Sequence, residues 1–319
     1  MAILVTGGAG FIGSHLIERL LEVSDASIIC LDDFNDFYDP AIKHKNIASL
    51  AENSRVDVVE SSFCKQDVVR QLFDDHEIDE IIHLGAYAGV RPSIERPRLY
   101  QKVNVGGTVC LLEAARHRPV KRFILISSST VYGNGAESPF REDAPLGTPL
   151  SPYGVTKRAA ELMGLNYWQL HKVPVVILRP FSVYGPRLRP DLAMTIFTKA
   201  ICDDHVLPLF GDGSIRRDFT HVRDFCSGLL AARTAEESSV VGQCINIGHS
   251  DPIEIRKLIE MLEEAIGRKA RIEYLPENAG DMSVTYADLT KAEKLLAYRP
   301  QVPIEQGVAE FVAWFLQNR

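Results

Sequence analysis

The sequence predicts an α/β protein built on a doubly wound parallel sheet, with a second, smaller α/β lobe. Three observations carry this. Strand-length apolar runs alternate with helix-length periodic segments from the second residue onward. A glycine-rich turn joins the first such strand to the first such helix. After Arg179-Pro180 the alternation fails and proline and glycine multiply, at Pro186, Pro190, Pro208, Gly211 and Gly213. With 319 residues, 46% apolar and 24% charged, the chain has the composition of a globular protein of about two domains.

The elements follow in order. Ala2–Thr6 is a short apolar run that stops at glycines, the pattern of a strand covered on both faces. Phe11–Val23 puts Phe11, Ile12, Leu16 and Leu20 on one helical face, with Glu18 and Arg19 opposite. Further strands are expected at 28–31, 55–59, 80–84, 123–127 and 175–178, separated by helices at 65–75, 99–117 and 153–171. Strands spaced by helices require right-handed crossovers and hence a parallel sheet. The second half should hold helices at 191–203, 222–235, 253–266 and 304–317, with 218–232 and 243–247 returning to the first sheet. Residues 1–180 with about 218–247 then form one unit, and 181–217 with 248–319 the other, leaving a cleft between them.

The net charge of −7 and the shortness of the basic clusters Lys121-Arg122 and Arg216-Arg217 argue against nucleic acid as a partner. No apolar run approaches the ~20 residues that span a bilayer, so no membrane association is expected. The first residues lack the basic and long apolar stretches of a signal peptide. Six cysteines without CxxC spacing predict buried thiols, no metal site and a cytoplasmic location.

Thr6-Gly7-Gly8-Ala9-Gly10-Phe11-Ile12-Gly13 stands between the first strand and the first helix. Gly7 permits the tight turn, Gly10 lets the backbone approach a pyrophosphate, and Gly13 lets helix and strand pack closely. The anion then rests on free N–H groups at the positive helix end. A glycine run alone marks any turn; the strand–turn–helix setting gives this one its meaning. The second strand ends at Leu31-Asp32-Asp33, where a carboxylate accepts from both ribose hydroxyls and repels a 2′-phosphate. No Lys or Arg follows until Lys43, so NAD is favoured over NADP.

Tyr153 and Lys157 stand at i, i+4 on one helix face. The ammonium is expected to lower the phenol's pKa toward neutrality. Ser127-Ser128-Ser129-Thr130 follows the fifth strand, at the carboxyl edge where doubly wound sheets bind ligands. In that order, with the glycine loop, the cluster reads as hydroxyls aimed at a substrate. His83 and His221 lie in apolar segments and read as packed structural histidines.

Together with Ser-Ser-Ser-Thr-Val-Tyr132-Gly and Arg179-Pro180-Phe-Ser-Val-Tyr184-Gly-Pro186, these motifs resemble the extended short-chain dehydrogenase/reductase family. Within it the chain is similar to the NAD-dependent nucleotide-sugar epimerases and dehydratases, from residue 2 to about 312. The resemblance implies a Rossmann-like NAD-binding domain, a nucleotide-sugar-binding lobe, and Ser128, Tyr153 and Lys157 as the catalytic residues. It also implies NAD contacts from Gly7, Gly10, Phe11, Ile12, Gly13, Asp32, Asn35, Leu84, Ala86, Asn104, Tyr153, Lys157 and Pro180. Some positions depart from the family pattern: Ser62-Phe63 replaces an Asp-Ile pair near the adenine, and Tyr87 stands where Gln or Lys is usual.

The family's dehydratases carry an Asp-Glu pair where this chain has Ser129-Thr130, and its uronate decarboxylases usually carry Glu at Thr130. What remains can remove and return a hydride, as a 4-epimerase requires. Residues 185–194, Ala88-Gly89-Val90-Arg91 and Phe34-Asn-Asp-Phe-Tyr38-Asp39 resemble segments of UDP-glucuronate 4-epimerases. The implied substrate contacts are Arg91, Ser129, Thr130, Ser182 and Arg189 around the sugar, Leu209 and Phe210 at uracil, Arg217 at the diphosphate, and Asp281 near ribose or diphosphate. Arg189 is nominated for a C6 carboxylate, against the alternative of an ion pair with Asp191. Still open are a UDP-galactose or UDP-N-acetylhexosamine 4-epimerase, a UDP-glucuronate decarboxylase, and a non-catalytic NAD-binding regulator. The resemblance further implies a homodimer through the helices near 99–117 and 153–171, with Leu162, Leu165 and Trp168 assigned either to that face or to the core.

Overall fold

Strands that are apolar throughout need cover on both faces, and this chain provides it with helices on either side of one sheet. The computed structural model describes residues 1–276 and 283–319. The first half runs β1 (Ala2–Thr6), α1 (Phe11–Val23), β2 (Ser27–Asp32), α2 (Pro40–Ala51), β3 (Val56–Glu60), α3 (Gln66–Asp75) and β4 (Ile78–His83). Two short helices come next, α4 (Val90–Glu95) and α5 (Pro97–Tyr100), then α6 (Thr108–His117), β5 (Arg122–Ile126), α7 (Pro152–His171) and β6 (Val175–Pro180). The second half supplies β7 (Ser182–Tyr184), α8 (Ala193–Cys202), β8 (Val206–Phe210), β9 (Arg216–His221), α9 (Val222–Thr234), α10 (Glu237–Val240) and β10 (Cys244–Ile247). It ends with β11 (Pro252–Glu254), α11 (Ile255–Ile266), β12 (Arg271–Leu275), β13 (Val284–Thr285), α12 (Thr290–Leu296) and α13 (Ile304–Asn318).

Seven parallel strands form the main sheet in the order β10-β6-β5-β4-β1-β2-β3. The two-residue strand period splits each run between two cores: Ile3 and Val5 of β1 pack on one face, Ala2 and Leu4 on the other. The strand order reverses between β1 and β4, the switch point at which such sheets open a crevice beyond their carboxyl ends.

Three features differ from the sequence expectation. The return of 243–247 to the sheet is observed as β10, but β9 does not join it; β9 pairs instead with β7, β11 and β13 in a second sheet. The cause is Asp218 of β9, whose buried carboxylate accepts from the backbone N–H groups of His249, Ser250 and Ala287 at 2.7–3.1 Å and ties the strand to that lobe. Helix α2 has no apolar stripe because Lys43 and Asn46 share its buried face with Ile47 and Leu50, yet Asp39 capping the Ala41 N–H and Pro40 at the first turn mark its start. The helix expected at 99–117 is divided by a π-helical stretch, Gln101–Gly107. Of the three apolar residues on α7, Leu162 is 52% exposed, whereas Leu165 and Trp168 pack toward the core.

Helix α7 is anchored to β6 by a buried ion pair. Arg179 Nε and Nη2 donate to the two Glu161 carboxylate oxygens at 2.8 and 2.9 Å, with both side chains almost fully enclosed. The guanidinium also lies 4.9 Å from the centre of the Tyr132 ring. Among the described residues no helix is long and apolar enough to cross a membrane. Glu161→Ala would strand a buried guanidinium and should destabilise the fold by about 3–5 kcal/mol, read as a lowered urea midpoint with an unchanged m-value.

Candidate active site

The crevice at the switch point is a cavity of about 520 Å³, within the usual range for ligand sites. Its floor is the glycine turn. Gly7 has φ +68°, and a Cβ there would stand 2.9 Å from the Gly85 backbone. A Cβ on Gly13 would meet the Gly7 carbonyl oxygen at 2.3 Å, so α1 packs as closely as it does on the turn that follows β1 only because no side chain intervenes. Gly10, the cap of α1, has no side chain to satisfy the first N–H groups of the helix, which leaves them for an anion.

Beside the turn, Asp32 Oδ2 accepts from the Ala9 N–H at 3.2 Å, and Oδ1 accepts from the Phe34 N–H at 3.0 Å and from Lys43 Nζ at 3.5 Å. Burial raises the Asp32 carboxyl pKa, and the Lys43 ammonium opposes that shift. Lys43 was absent from the sequence-derived site. Its position on the buried face of α2, at helical spacing from the Asp39 cap, is the signal that points to it. Phe63 also lines the cavity, its ring filling the space over Gly85 and Gly107. Its neighbour Ser62 turns away and accepts from the Cys64 N–H.

From the end of β1 a chain of buried hydrogen bonds crosses to α7. The Gly85 N–H donates to Thr6 Oγ1 (3.1 Å), and because the Thr108 hydroxyl proton is committed to Asn104, His83 carries its proton on Nε2 and its Nδ1 accepts from Thr6 Oγ1 (2.7 Å). His83 Nε2–H then donates to Thr108 Oγ1 (3.0 Å), and Thr108 donates to the Asn104 carbonyl (2.7 Å). The Asn104 side chain brackets the Tyr87 backbone, accepting from its N–H and donating to its carbonyl, and also donates to Thr156 Oγ1. Thr156 in turn donates to the Tyr153 carbonyl at 2.9 Å. This assignment requires a neutral His83, and burial pushes its pKa down to about 3. His221 is likewise buried, pushed down to about 4, and accepts the Arg223 N–H at the start of α9. The structural reading of both histidines agrees with these contacts.

Ser128, Ser129, Thr130, Tyr153 and Lys157 line the cavity together with Pro180, Ser182 and Arg189. Ser128 Oγ accepts from the Thr130 N–H and hydroxyl at 3.2 and 2.9 Å and lies beside the Tyr153 phenol. The expected lowering of the phenol by Lys157 is not found. Burial raises the Tyr153 pKa, with the Ser128 hydroxyl and the Arg189 charge opposing. Lys157 instead donates to the Ile126 carbonyl at 2.8 Å, and burial lowers its own pKa to about 8.

The cavity also takes in Gly7, Gly10, Phe11, Ile12, Gly13, Asp32, Asn35, Leu84 and Ala86. Asn104 lies behind it, acting through Tyr87. Arg91 places its guanidinium 5.0 Å from the centre of the Phe210 ring, and neither lines the cavity. Leu209 is buried in β8 against β12, and Arg217 lies on β9. Arg189 pairs with Asp191, the alternative weighed from the sequence. Asp281 lies outside the described residues.

Residues 3–248 match the model of the NAD dependent epimerase/dehydratase family. A UDP-glucuronate 4-epimerase of Thermodesulfobacterium geofontis is 38% identical over 316 residues, 99% of this chain and 96% of that protein. The crystal structure of UDP-glucuronic acid 4-epimerase from Bacillus cereus, in complex with UDP-glucuronic acid and NAD, is 39% identical with a TM-score of 0.94 and full coverage of both chains. DesIV, a dTDP-glucose 4,6-dehydratase from Streptomyces venezuelae with NAD bound, is 30% identical with a TM-score of 0.91, covering 100% of this chain and 98% of that one.

Two measurements test the site. His83 binds fewer protons folded than unfolded between its folded pKa of about 3 and the ordinary 6.5, so its contribution is complete above pH 6.5 and lost as pH falls. Between pH 6.5 and 5 the protein should lose about 1.6 kcal/mol through this group, and the loss should vanish in His83→Gln, compared by urea unfolding at both pH values. Gly13→Ala should abolish NAD retention on gel filtration, because the new methyl cannot clear the Gly7 carbonyl.

Proposed function

The chain belongs to the NAD dependent epimerase/dehydratase family, and from that membership we propose that it is an isomerase, an NAD-dependent UDP-sugar 4-epimerase that interconverts UDP-glucuronate and UDP-galacturonate. One observation carries the reading: Ser128, Tyr153 and Lys157 share a cavity with the Arg189 guanidinium, and the hydroxyls of Ser129 and Thr130 occupy the positions where a dehydratase needs a carboxyl pair.

NAD fits the residues present. The uncapped start of α1 suits a pyrophosphate, the Asp32 carboxylate suits ribose hydroxyls, and side chains at Gly7 or Gly13 would close the cradle. Bound NAD supplies the acceptor, and afterwards the donor, of the C4 hydride. Once ionised, Tyr153 takes the O4 proton and later returns it, with Ser128 placed beside the phenol to contact the sugar oxygen. Lys157 spends one of its three N–H donors on Ile126 and keeps two for the cofactor's ribose hydroxyls. An ammonium with a pKa of about 8 stays largely charged at neutral pH, so both remaining donors are available to those hydroxyls.

A uronate oxidised at C4 is a β-keto acid, which loses CO₂ most readily when the C5–carboxylate bond stands perpendicular to the ketone. Arg189, with Ser182 and Thr130, holds the carboxylate near the ketone plane and suppresses that loss. Arg217 serves the diphosphate, and Leu209 and Phe210 the uracil. The seven-strand unit takes the dinucleotide and the β7–β9 lobe the nucleotide sugar. Val155, Leu162 and Leu170, each about half or more exposed on α7, form the face of a homodimer. The six free thiols suit the cytoplasm.

A neutral UDP-hexose is the second reading, favoured by the Asp191 carboxylate already filling the Arg189 fork. The deciding experiment incubates the purified protein with UDP-glucuronate and follows products by NMR. UDP-galacturonate is expected; UDP-xylose would mean decarboxylation, and no product would favour the hexose. Tyr153→Phe should cut kcat by about 10²–10⁴ while NAD stays bound. Arg189→Ala with unchanged uronate turnover would remove the glucuronate assignment.

A further inference from the structure

The loop between β7 and α8 holds a carboxylate in a place that a substrate carboxylate would want. Arg189 Nε donates to Asp191 Oδ1 at 2.9 Å and Nη2 donates to Oδ2 at 2.8 Å, a two-pronged pair that uses one whole edge of the guanidinium. Arg189 lines the cavity, 5.5 Å from the centre of the Phe37 ring and within electrostatic reach of Tyr38 and Tyr153. Asp191 does not line the cavity, and its side chain is 31% exposed against 19% for Arg189. The arginine therefore faces the ligand, while its partner faces the solvent.

The other two cations that line the cavity among the described residues are engaged elsewhere, Lys43 with Asp32 and Lys157 with the Ile126 carbonyl. Residues 185–192 lie outside regular helix, with Gly185 at φ +140° and Arg187 at φ +64°. A rotation of Asp191 toward water would break no helix or sheet bond.

Resting on the uronate reading above, we propose that Asp191 is a place-holder for the substrate: in the empty site it stands in for the C6 carboxylate on Arg189, and it yields the guanidinium only to another carboxylate, at a cost in uronate affinity. The exchange is nearly balanced for a uronate. One two-pronged pair replaces another, and the released Asp191 regains its hydration. A neutral hydroxymethyl group offers only an uncharged acceptor, roughly half as strong, and cannot displace Asp191. The latch also lowers the apparent affinity for the uronate by the fraction of time the fork is occupied.

The test uses NAD-loaded protein with Tyr153→Phe to prevent turnover, and measures Kd for UDP-glucuronate and UDP-glucose by calorimetry. Adding Asp191→Asn should tighten UDP-glucuronate by about tenfold and move UDP-glucose by less than about twofold. Asp191→Glu, which keeps a carboxylate, should hold the parent's ratio of the two Kd values. The gain from Asp191→Asn should disappear when Arg189→Ala is also present. Weaker UDP-glucuronate binding in Asp191→Asn, or an equal change for both sugars, would overturn the latch alone. A parent protein that binds UDP-glucose and not UDP-glucuronate would overturn the uronate reading, and the latch with it.

Discussion

The cavity depends on one buried line of hydrogen bonds, from Thr6 at the end of β1 through His83, Thr108 and Asn104 to Thr156 and the Tyr153 carbonyl. Its ends are the glycine turn and the helix that carries Tyr153 and Lys157, so it fixes how far apart the two stand. Each link lies in a low-dielectric interior, where an orphaned donor costs about 1–3 kcal/mol. That cost allows one arrangement of donors and acceptors and one tautomer of His83. The π-helical stretch belongs to the same device. It turns Asn104 inward, where the side chain meets the Tyr87 backbone as a neighbouring strand would.

The same reluctance to leave polar groups unpaired explains the cations. Lys43, Lys157 and Arg189 all line the cavity, and each has an acceptor from within the chain: a carboxylate on β2, a main-chain carbonyl at the end of β5, and a carboxylate two residues away. Arg179, deeper still, is matched by Glu161 on both prongs. The partners differ in how readily they can be replaced. Glu161 is enclosed and permanent, the Ile126 carbonyl uses one donor of three, and Asp191 stands at the surface. The pattern grades the site from rigid frame to exchangeable contact.

Much of this was legible in the residues. The strands of the main sheet, the glycine turn, the carboxylate ending β2 and the hydroxyl cluster after β5 were read within a residue or two of where they lie. Helix α2 was missed because Lys43 and Asn46 interrupt its buried face, and those polar residues are buried to serve Asp32 and the Ala9 carbonyl. Strand β9 was sent to the wrong sheet because its buried Asp218 finds its N–H partners 31–69 residues away, at a separation that periodicity does not report. The phenol's shift was given the wrong sign. Spacing shows that Tyr153 and Lys157 share a helix face, but burial raises the phenol's pKa, and the charge that opposes it is that of Arg189.

Periodicity and covalent spacing are local, so the sequence by itself determined the alternation of strand and helix, the close turn at Gly7–Gly13 and the pairing of Tyr153 with Lys157 on one face. Which acceptor each buried charge finds depends on chain segments brought together from afar and on how much water they exclude. Only the tertiary structure therefore decided that Lys157 turns to Ile126, that Lys43 reaches Asp32, and that Phe63 fills the space over two glycines.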